Sequence, residues 1–125
     1  MNLNQVTVPS ADVEKSIAFY ETLGLRLIVS ALPHYARFVC PEGNATFSLH
    51  QVAALPAGEG SWVYFEINNL DEVVYELIKK GIVFETKPSD QAWLWREARL
   101  KDPDGNQLIL YYAGENRIDP PWKIS

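Results

Sequence analysis

Apolar and polar positions follow two rhythms along this chain, and the rhythms change in the same order twice. From Leu3 to Val8, β-branched and polar residues mix in a strand-like run. The spacing then widens. Val13, Ile17 and Tyr20 fall at i, i+4 and i+7, one stripe of a helix that runs to about Leu23. Ser10 or Asp12 is placed to cap its start, and Gly24 stands where helices usually stop. Three short strands are expected next, near Leu25–Ser30, Tyr35–Cys40 and Ala45–Val52. The pattern restarts at Trp62. In the second helix Leu70, Val73, Val74, Leu77 and Ile78 form the buried face, Asn69 with Glu72 reads as a capping box, and Gly81 ends it. Strands near Ile82–Glu85, Trp93–Lys101 and Gln107–Tyr112 complete the second pass.

The two passes are copies of one unit. A shift of 57 positions lays Gln5-Val6-Thr7-Val8 on Trp62-Val63-Tyr64-Phe65, Asp12-Val13-Glu14 on Asn69-Leu70-Asp71, Ile17 on Val74, and Gly24 on Gly81. The turns Pro41-Glu42-Gly43-Asn44 and Pro103-Asp104-Gly105-Asn106 match at an offset of 62, so the second copy carries extra residues before its turn. Proline presets one backbone angle in each turn and glycine supplies positive φ. The expected layout is one domain over residues 1–125: repeat one at about 3–52, a Gly/Ala-rich linker at 53–60, repeat two at about 61–112, and a tail at 113–125. The tail cannot be helical at Pro120-Pro121, and Trp122 is expected to anchor it to a surface. Each βαβββ unit alone exposes strand edges. Two units pairing edge to edge cover them, giving an α+β fold with a curved, cup-shaped mixed sheet and the helices outside.

Three segments carry a resemblance. Asn4-Gln5-Val6-Thr7-Val8 with Asp12 to Tyr20 and Leu23-Gly24 is one; Phe65 to Asp71 is the second; Asp102-Pro103-Asp104-Gly105-Asn106 is the third. Together they resemble the vicinal oxygen chelate superfamily, which includes glyoxalase I, extradiol dioxygenases and bleomycin-resistance proteins. The resemblance runs from Leu3 to about Tyr112. It implies a cup that holds one divalent metal, with ligands on the first and last strands of each copy. Carried over by position, the four ligand sites are Gln5, Ser48, Trp62 and Ile109. An indole and an isoleucine side chain cannot ligate a metal, and a serine hydroxyl is a poor donor, whereas divalent ions want imidazole, carboxylate or thiolate. No metal and no other cofactor is therefore expected. A displaced site from Gln5, His50 and Glu66 is the alternative.

Composition narrows the function further. Net charge is −5, with 11 Lys+Arg against 16 Asp+Glu, which argues against a nucleic-acid partner. No apolar run reaches membrane-spanning length, and the start of the chain does not read as a signal peptide. Cys40 is the single cysteine, which suits a reducing, cytoplasmic setting. The chain has 15 aromatic residues, 4 Trp, 6 Tyr and 5 Phe. Strand alternation puts Trp62, Tyr64 and Glu66 on one face. In the next tryptophan-rich segment Trp93, Trp95, Glu97 and Arg99 share one side, and Leu94, Arg96, Ala98 and Leu100 the other; which side faces the cup stays open. The expected ligand-binding set is Gln5, Ser48, His50, Trp62, Tyr64, Glu66, Trp95 and Arg96. Two function classes follow. One is a metal-free protein that binds a small organic molecule, as bleomycin-resistance proteins do. The other is a lyase, isomerase or oxygenase using the displaced metal, or Glu66 with His50 as a metal-free acid–base pair. A homodimer is expected in either case.

Overall fold

The structure, a computed structural model, describes residues 1–124. The chain divides into two compact units. The first is residues 1–60 with 102–106; the second is residues 61–101 with those from 107 on.

The first unit runs β1 (Gln5–Ser10), α1 (Val13–Leu23), β2 (Arg26–Ala31), β3 (Tyr35–Val39) and β4 (Thr46–Gln51). Its sheet has the order β1-β4-β3-β2. The β1·β4 pair is parallel and the other two pairs are antiparallel. Asp12 is the N-cap of α1: its Oδ1 accepts from the backbone N–H of Lys15 at 3.1 Å. Gly24 ends the helix at φ 105°, a left-handed conformation that a Cβ would strain. One face of the sheet carries Ala36, Phe38, Phe47 and Leu49, all buried. The Tyr20 ring of α1 meets Phe47 at 4.7 Å and Phe38 at 5.7 Å between centroids.

Ile17 is only half-buried, and the buried position of that turn is Ser16. The reason is polar. Ser16 Oγ donates to Asp104 at 2.8 Å, and Asp104 also accepts from the N–H of Ala11 at 2.8 Å. Beside it, Tyr20 donates its phenolic proton to Asp102 at 2.6 Å, and Asn106 donates to the carbonyl of Pro9 at 2.9 Å. The Pro-Asp-Gly-Asn turn of the second repeat thus belongs to the first unit. Burial, and then the negative charge of Asp102, pushes the Tyr20 phenol well above the usual tyrosine range.

The second unit runs β5 (Trp62–Glu66), α2 (Leu70–Lys79), β6 (Thr86–Asp90), β7 (Arg96–Lys101) and β8 (Gln107–Tyr112), then a 3-10 turn at Gly114–Arg117. Its sheet order, β5-β8-β7-β6, reproduces the first, again with the outer pair β5·β8 parallel. Two copies of one βαβββ unit are therefore present, as the 57-residue repeat implies. Leu70, Val74 and Leu77 are the buried residues of α2. Ile78, expected on that face, is 40% exposed.

Three local expectations are corrected. Asn69 makes no side-chain cap bond; its amide instead points toward the Glu72 carboxylate at 3.5 Å, so no capping box forms. The strand expected at Ile82–Glu85 lies at Thr86–Asp90. Its sequence, Thr-Lys-Pro-Ser-Asp, is polar and contains Pro88, which the ladder tolerates because β6 is an edge strand. The strand expected from Trp93 begins at Arg96, because Gln91–Trp95 closes a turn through Leu94 N–H to Gln91 O at 3.0 Å, with Leu94 at φ 66°. No helix of the described residues is long and apolar enough to cross a membrane.

Candidate functional site

Each unit has one sheet face turned away from its helix, and the two faces differ in chemistry. In the second unit the register settles which residues share a face. Trp62 pairs with Gln107, Tyr64 with Ile109 and Glu66 with Tyr111; Arg99 pairs with Ile109 and Glu97 with Tyr111. Trp62, Tyr64, Glu66, Glu97, Arg99, Ile109 and Tyr111 therefore stand together, opposite the face that bears Leu100, Leu108 and Leu110. Trp95, just before β7, joins them: it stacks on Tyr111 at 4.8 Å, and Tyr64 meets both rings edge-on at 5.9 and 5.4 Å. Trp95 Nε1–H donates to the carbonyl of Asn116 at 3.2 Å, which fixes the indole. Such edge-to-face and offset arrangements hold rings rigid.

This aromatic wall is partly open to solvent. Trp62 is 43% and Tyr64 39% exposed, while Ile109 is fully buried beneath them. The Arg99 guanidinium lies over the Trp62 ring, 4.6 Å from its centroid. Glu97 is 2% exposed; it accepts from Trp93 Nε1–H at 2.9 Å and lies 4.0 Å from Arg99. Burial first, and then the Glu97 charge, pushes the Tyr64 phenol up, with Arg99 partly opposing. Burial and then Glu66 push up Tyr111. Glu66 itself is committed. Its Oε2 accepts from the backbone N–H groups of Ala113 and Gly114 at 2.9 and 3.0 Å, and its Oε1 faces Arg117 at 3.8 Å.

In the first unit the same side of the sheet is polar. Gln5 Nε2 donates to Ser48 Oγ at 2.8 Å and to Thr7 Oγ1 at 3.1 Å, and its Oε1 accepts from Thr46 Oγ1. Ser48 is fully buried. Its hydroxyl and that of Tyr35 are 2.6 Å apart, and Arg37 Nε–H donates to the Tyr35 oxygen at 2.9 Å. Burial tends to raise the Tyr35 phenol, but the hydrogen bonds from Ser48 and Arg37 outweigh it and the net direction is down. Absorbance at 295 nm during alkaline titration should thus show one tyrosinate forming below the ordinary tyrosine range of about 10. That first step should disappear in Tyr35→Phe and move up in Arg37→Ala; an unchanged curve in both would assign it elsewhere. His50 is exposed, lies opposite Tyr35 in the ladder, and its ring makes no hydrogen bond among the described residues. His34 Nδ1 lies 3.1 Å from the accepting Oε1 of Gln51 on the surface.

Of the expected ligand-binding residues, Trp62, Tyr64, Glu66 and Trp95 come together on one face, and Gln5, Ser48 and His50 on the other unit's. Arg96 joins neither group. It lies on the helix side of β7, held by both oxygens of Asp71 at 2.8 and 2.9 Å and by Asp90 at 2.9 Å. Sequence reasoning missed Tyr111, Tyr35 and Arg37 as members of these faces, and grouped Glu97 with Arg99 while leaving open which way their side points. Alternation along β3 and β7 carried the signal, but only the register tells which side of each strand faces away from the helix.

The residues at the four family ligand positions do not fit a divalent metal. Ile109 offers only buried hydrocarbon, Trp62 offers an indole already covered by a guanidinium, and Ser48 and Gln5 spend their polar atoms on each other and their neighbours. Among the described residues no group of three or more His, Cys, Asp and Glu is placed to hold a metal ion. A separate groove of about 410 Å³, lined by Ile78, Gly81, Ile82, Val83, Phe84 and Lys87, lies off the aromatic face and holds no acid–base pair.

Two βαβββ units, each with parallel outer strands and one helix-free face, define a class of α+β protein. The sequence model described as Glyoxalase/Bleomycin resistance protein/Dioxygenase superfamily matches residues 2–110, and the chain belongs to that superfamily. It is 29% identical over 126 residues to YraH of Bacillus subtilis (strain 168), covering 89% of this chain and 98% of that protein. Among solved structures, a glyoxalase/bleomycin resistance protein/dioxygenase from Nocardioides is 25% identical, superposes with a TM-score of 0.79, and matches over 100% of this chain and 90% of that one. A bleomycin-binding protein, solved in complex with bleomycin, shares the fold at 23% identity and a TM-score of 0.71, over 90% of this chain and 98% of that one.

Proposed function

We propose that the chain binds a small, flat organic molecule against the aromatic face of its second unit, with no divalent metal in the site. The observation that carries this is the wall formed by Trp62, Tyr64, Trp95 and Tyr111. Tyr64, Trp95 and Tyr111 are fixed by mutual packing and by the Trp95–Asn116 bond, and Trp62 lies under the Arg99 guanidinium, yet Trp62 and Tyr64 remain exposed. A rigid aromatic surface binds a flat ligand at little entropic cost. Arg99, held between Trp62 and Glu97, adds one oriented donor. A bleomycin-binding protein shares the fold, so the fold accommodates a binding role. The enzymatic alternative would need Glu66 as a base, but its carboxylate already accepts two backbone N–H groups and faces Arg117. Homodimer formation belongs to the same proposal and is read by sedimentation at micromolar concentration: two chains per particle supports it, and one chain per particle counts against it.

Quinoline is a suitable probe, being flat, aromatic and able to accept one hydrogen bond. Titration of the intact protein should quench tryptophan fluorescence to saturation. Trp62→Ala should weaken binding by about 3- to 10-fold, the stacking contribution of one ring, with an unchanged thermal midpoint. A variant that unfolds, or one that binds as the parent does, places Trp62 outside the site.

A further inference from the structure

The helix-free face of the first unit holds an arginine that is oriented but has no anionic partner. Arg37 and Tyr35 alternate on β3 with Ala36 and Phe38, which are fully buried toward α1, so both polar side chains stand on the opposite side. The Arg37 Nε–H donates to the Tyr35 oxygen at 2.9 Å, and the guanidinium carbon lies 5.4 Å from the centre of the same ring. Tyr35 is fixed in turn, since its oxygen is 2.6 Å from the buried Ser48 hydroxyl, which accepts from Gln5. The guanidinium is thereby anchored through Nε by neutral groups alone, and its two terminal nitrogens form no ion pair among the described residues. Arg96, Arg99 and Arg117, by contrast, each lie within 4.0 Å of a carboxylate. Arg26 also lacks a carboxylate, but no side chain anchors it. In a chain with 16 acidic residues against 11 basic ones, an arginine held in place and left free of them presents an unused fork.

We propose that Arg37, positioned by Tyr35, is a receptor for the oxyanion group of a small molecule, a carboxylate or a phosphate. The paired terminal N–H groups match two oxygens of either anion in a planar, bidentate contact. Ser48 and Gln5 take no part in that contact; they hold the Tyr35 oxygen where Arg37 needs it. This reading is independent of the aromatic face: it concerns the other unit and needs no ring on the ligand.

The test uses the full chain and probes without rings. Acetate, inorganic phosphate and neutral acetamide are titrated at constant ionic strength, with chloride as the matched control, while the Arg37 Nε–H and backbone amides of β3 and β4 are followed by NMR. The expected result is a saturable shift at Arg37 with acetate, phosphate or both, and none with acetamide or chloride. Acetate alone would assign the site to carboxylates and phosphate alone to phospho groups. Arg37→Lys, which keeps the charge and loses the fork, should weaken binding at least 5-fold, and Tyr35→Phe, which removes the anchor, by a smaller factor. Arg37→Ala should abolish it, and because that side chain is exposed the variant keeps the parent's amide spectrum elsewhere. Equal shifts with chloride, or saturable binding that survives Arg37→Ala, would overturn the assignment. Neither outcome bears on quinoline binding at Trp62.

Discussion

Asp102→Ala should destabilise the protein by about 3–5 kcal/mol, read as the change in urea midpoint at constant slope. Asp102 is 5% exposed and accepts four hydrogen bonds: from Tyr20 OH at 2.6 Å, from the N–H groups of Asp104 and Asn106 at 2.9 Å each, and from Asn106 Nδ2 at 2.8 Å. Alanine leaves those donors facing a buried gap, and each unsatisfied one costs about 1–3 kcal/mol, less where water can reach it. Asp102→Asn keeps one oxygen and should lose roughly half as much. Tyr20→Phe removes one donor from the same network, so the double variant Tyr20→Phe/Asp102→Ala should lose less than the sum of its parts. A loss below about 1 kcal/mol for Asp102→Ala would mean that the turn at residues 102–106 is not held as described.

Ile109→Glu should destabilise the protein at neutral pH by about 3 kcal/mol or more, although it places a carboxylate where metal-binding members of the superfamily are expected to carry one. Ile109 is fully buried under Tyr64, and the nearest cation in the ladder, Arg99, already lies over Trp62. A carboxylate there must be desolvated or must take a proton. Its pKa in the folded state is therefore raised above the unfolded value. The folded variant is then least penalised below the unfolded carboxylate range of about 4, and loses stability as pH rises through the raised value. Stability should thus improve from pH 7 toward pH 4 relative to the parent. A variant as stable as the parent at pH 7, or one rescued by added zinc, would mean that this position is a polar site and not core.

Much of the fold was legible because the repeat states it twice. The match of Asp12 with Asn69 and of Gly24 with Gly81 set the bounds of both helices, although Asn69 makes no side-chain cap bond and Lys80, one residue before Gly81, is the C-cap of α2. What failed did so where tertiary context overrides local pattern. The edge strand β6 is polar because one of its sides has no neighbour, so periodicity gave no sign of it. Ser16 replaced Ile17 as the buried residue of its turn because a distant turn brings Asp104 to it. Gln91–Trp95 reads as strand in composition, but closes as a turn through Leu94.

The site was legible in part for the same reason. Trp62, Tyr64 and Glu66 share a face by alternation alone. That Glu97 and Arg99 join them while Arg96 turns to Asp71 depends on pairing to β8, which sequence does not report. Tyr35 and Arg37 drew no attention because each is an ordinary strand residue; only the direct hydrogen bond between them, with Ser48 against the Tyr35 oxygen, makes them a pair.

The central claim is that the aromatic face of the second unit takes a flat organic ligand without a metal. It is tested most directly by the four tryptophan indole N–H signals in a nitrogen–proton NMR spectrum, recorded with excess chelator while quinoline is added. The account predicts a saturable shift of the Trp62 signal, with smaller changes at Trp95, while Trp122 in the tail stays still. Indole signals that do not move up to millimolar quinoline, or that move only after a divalent metal replaces the chelator, would contradict it.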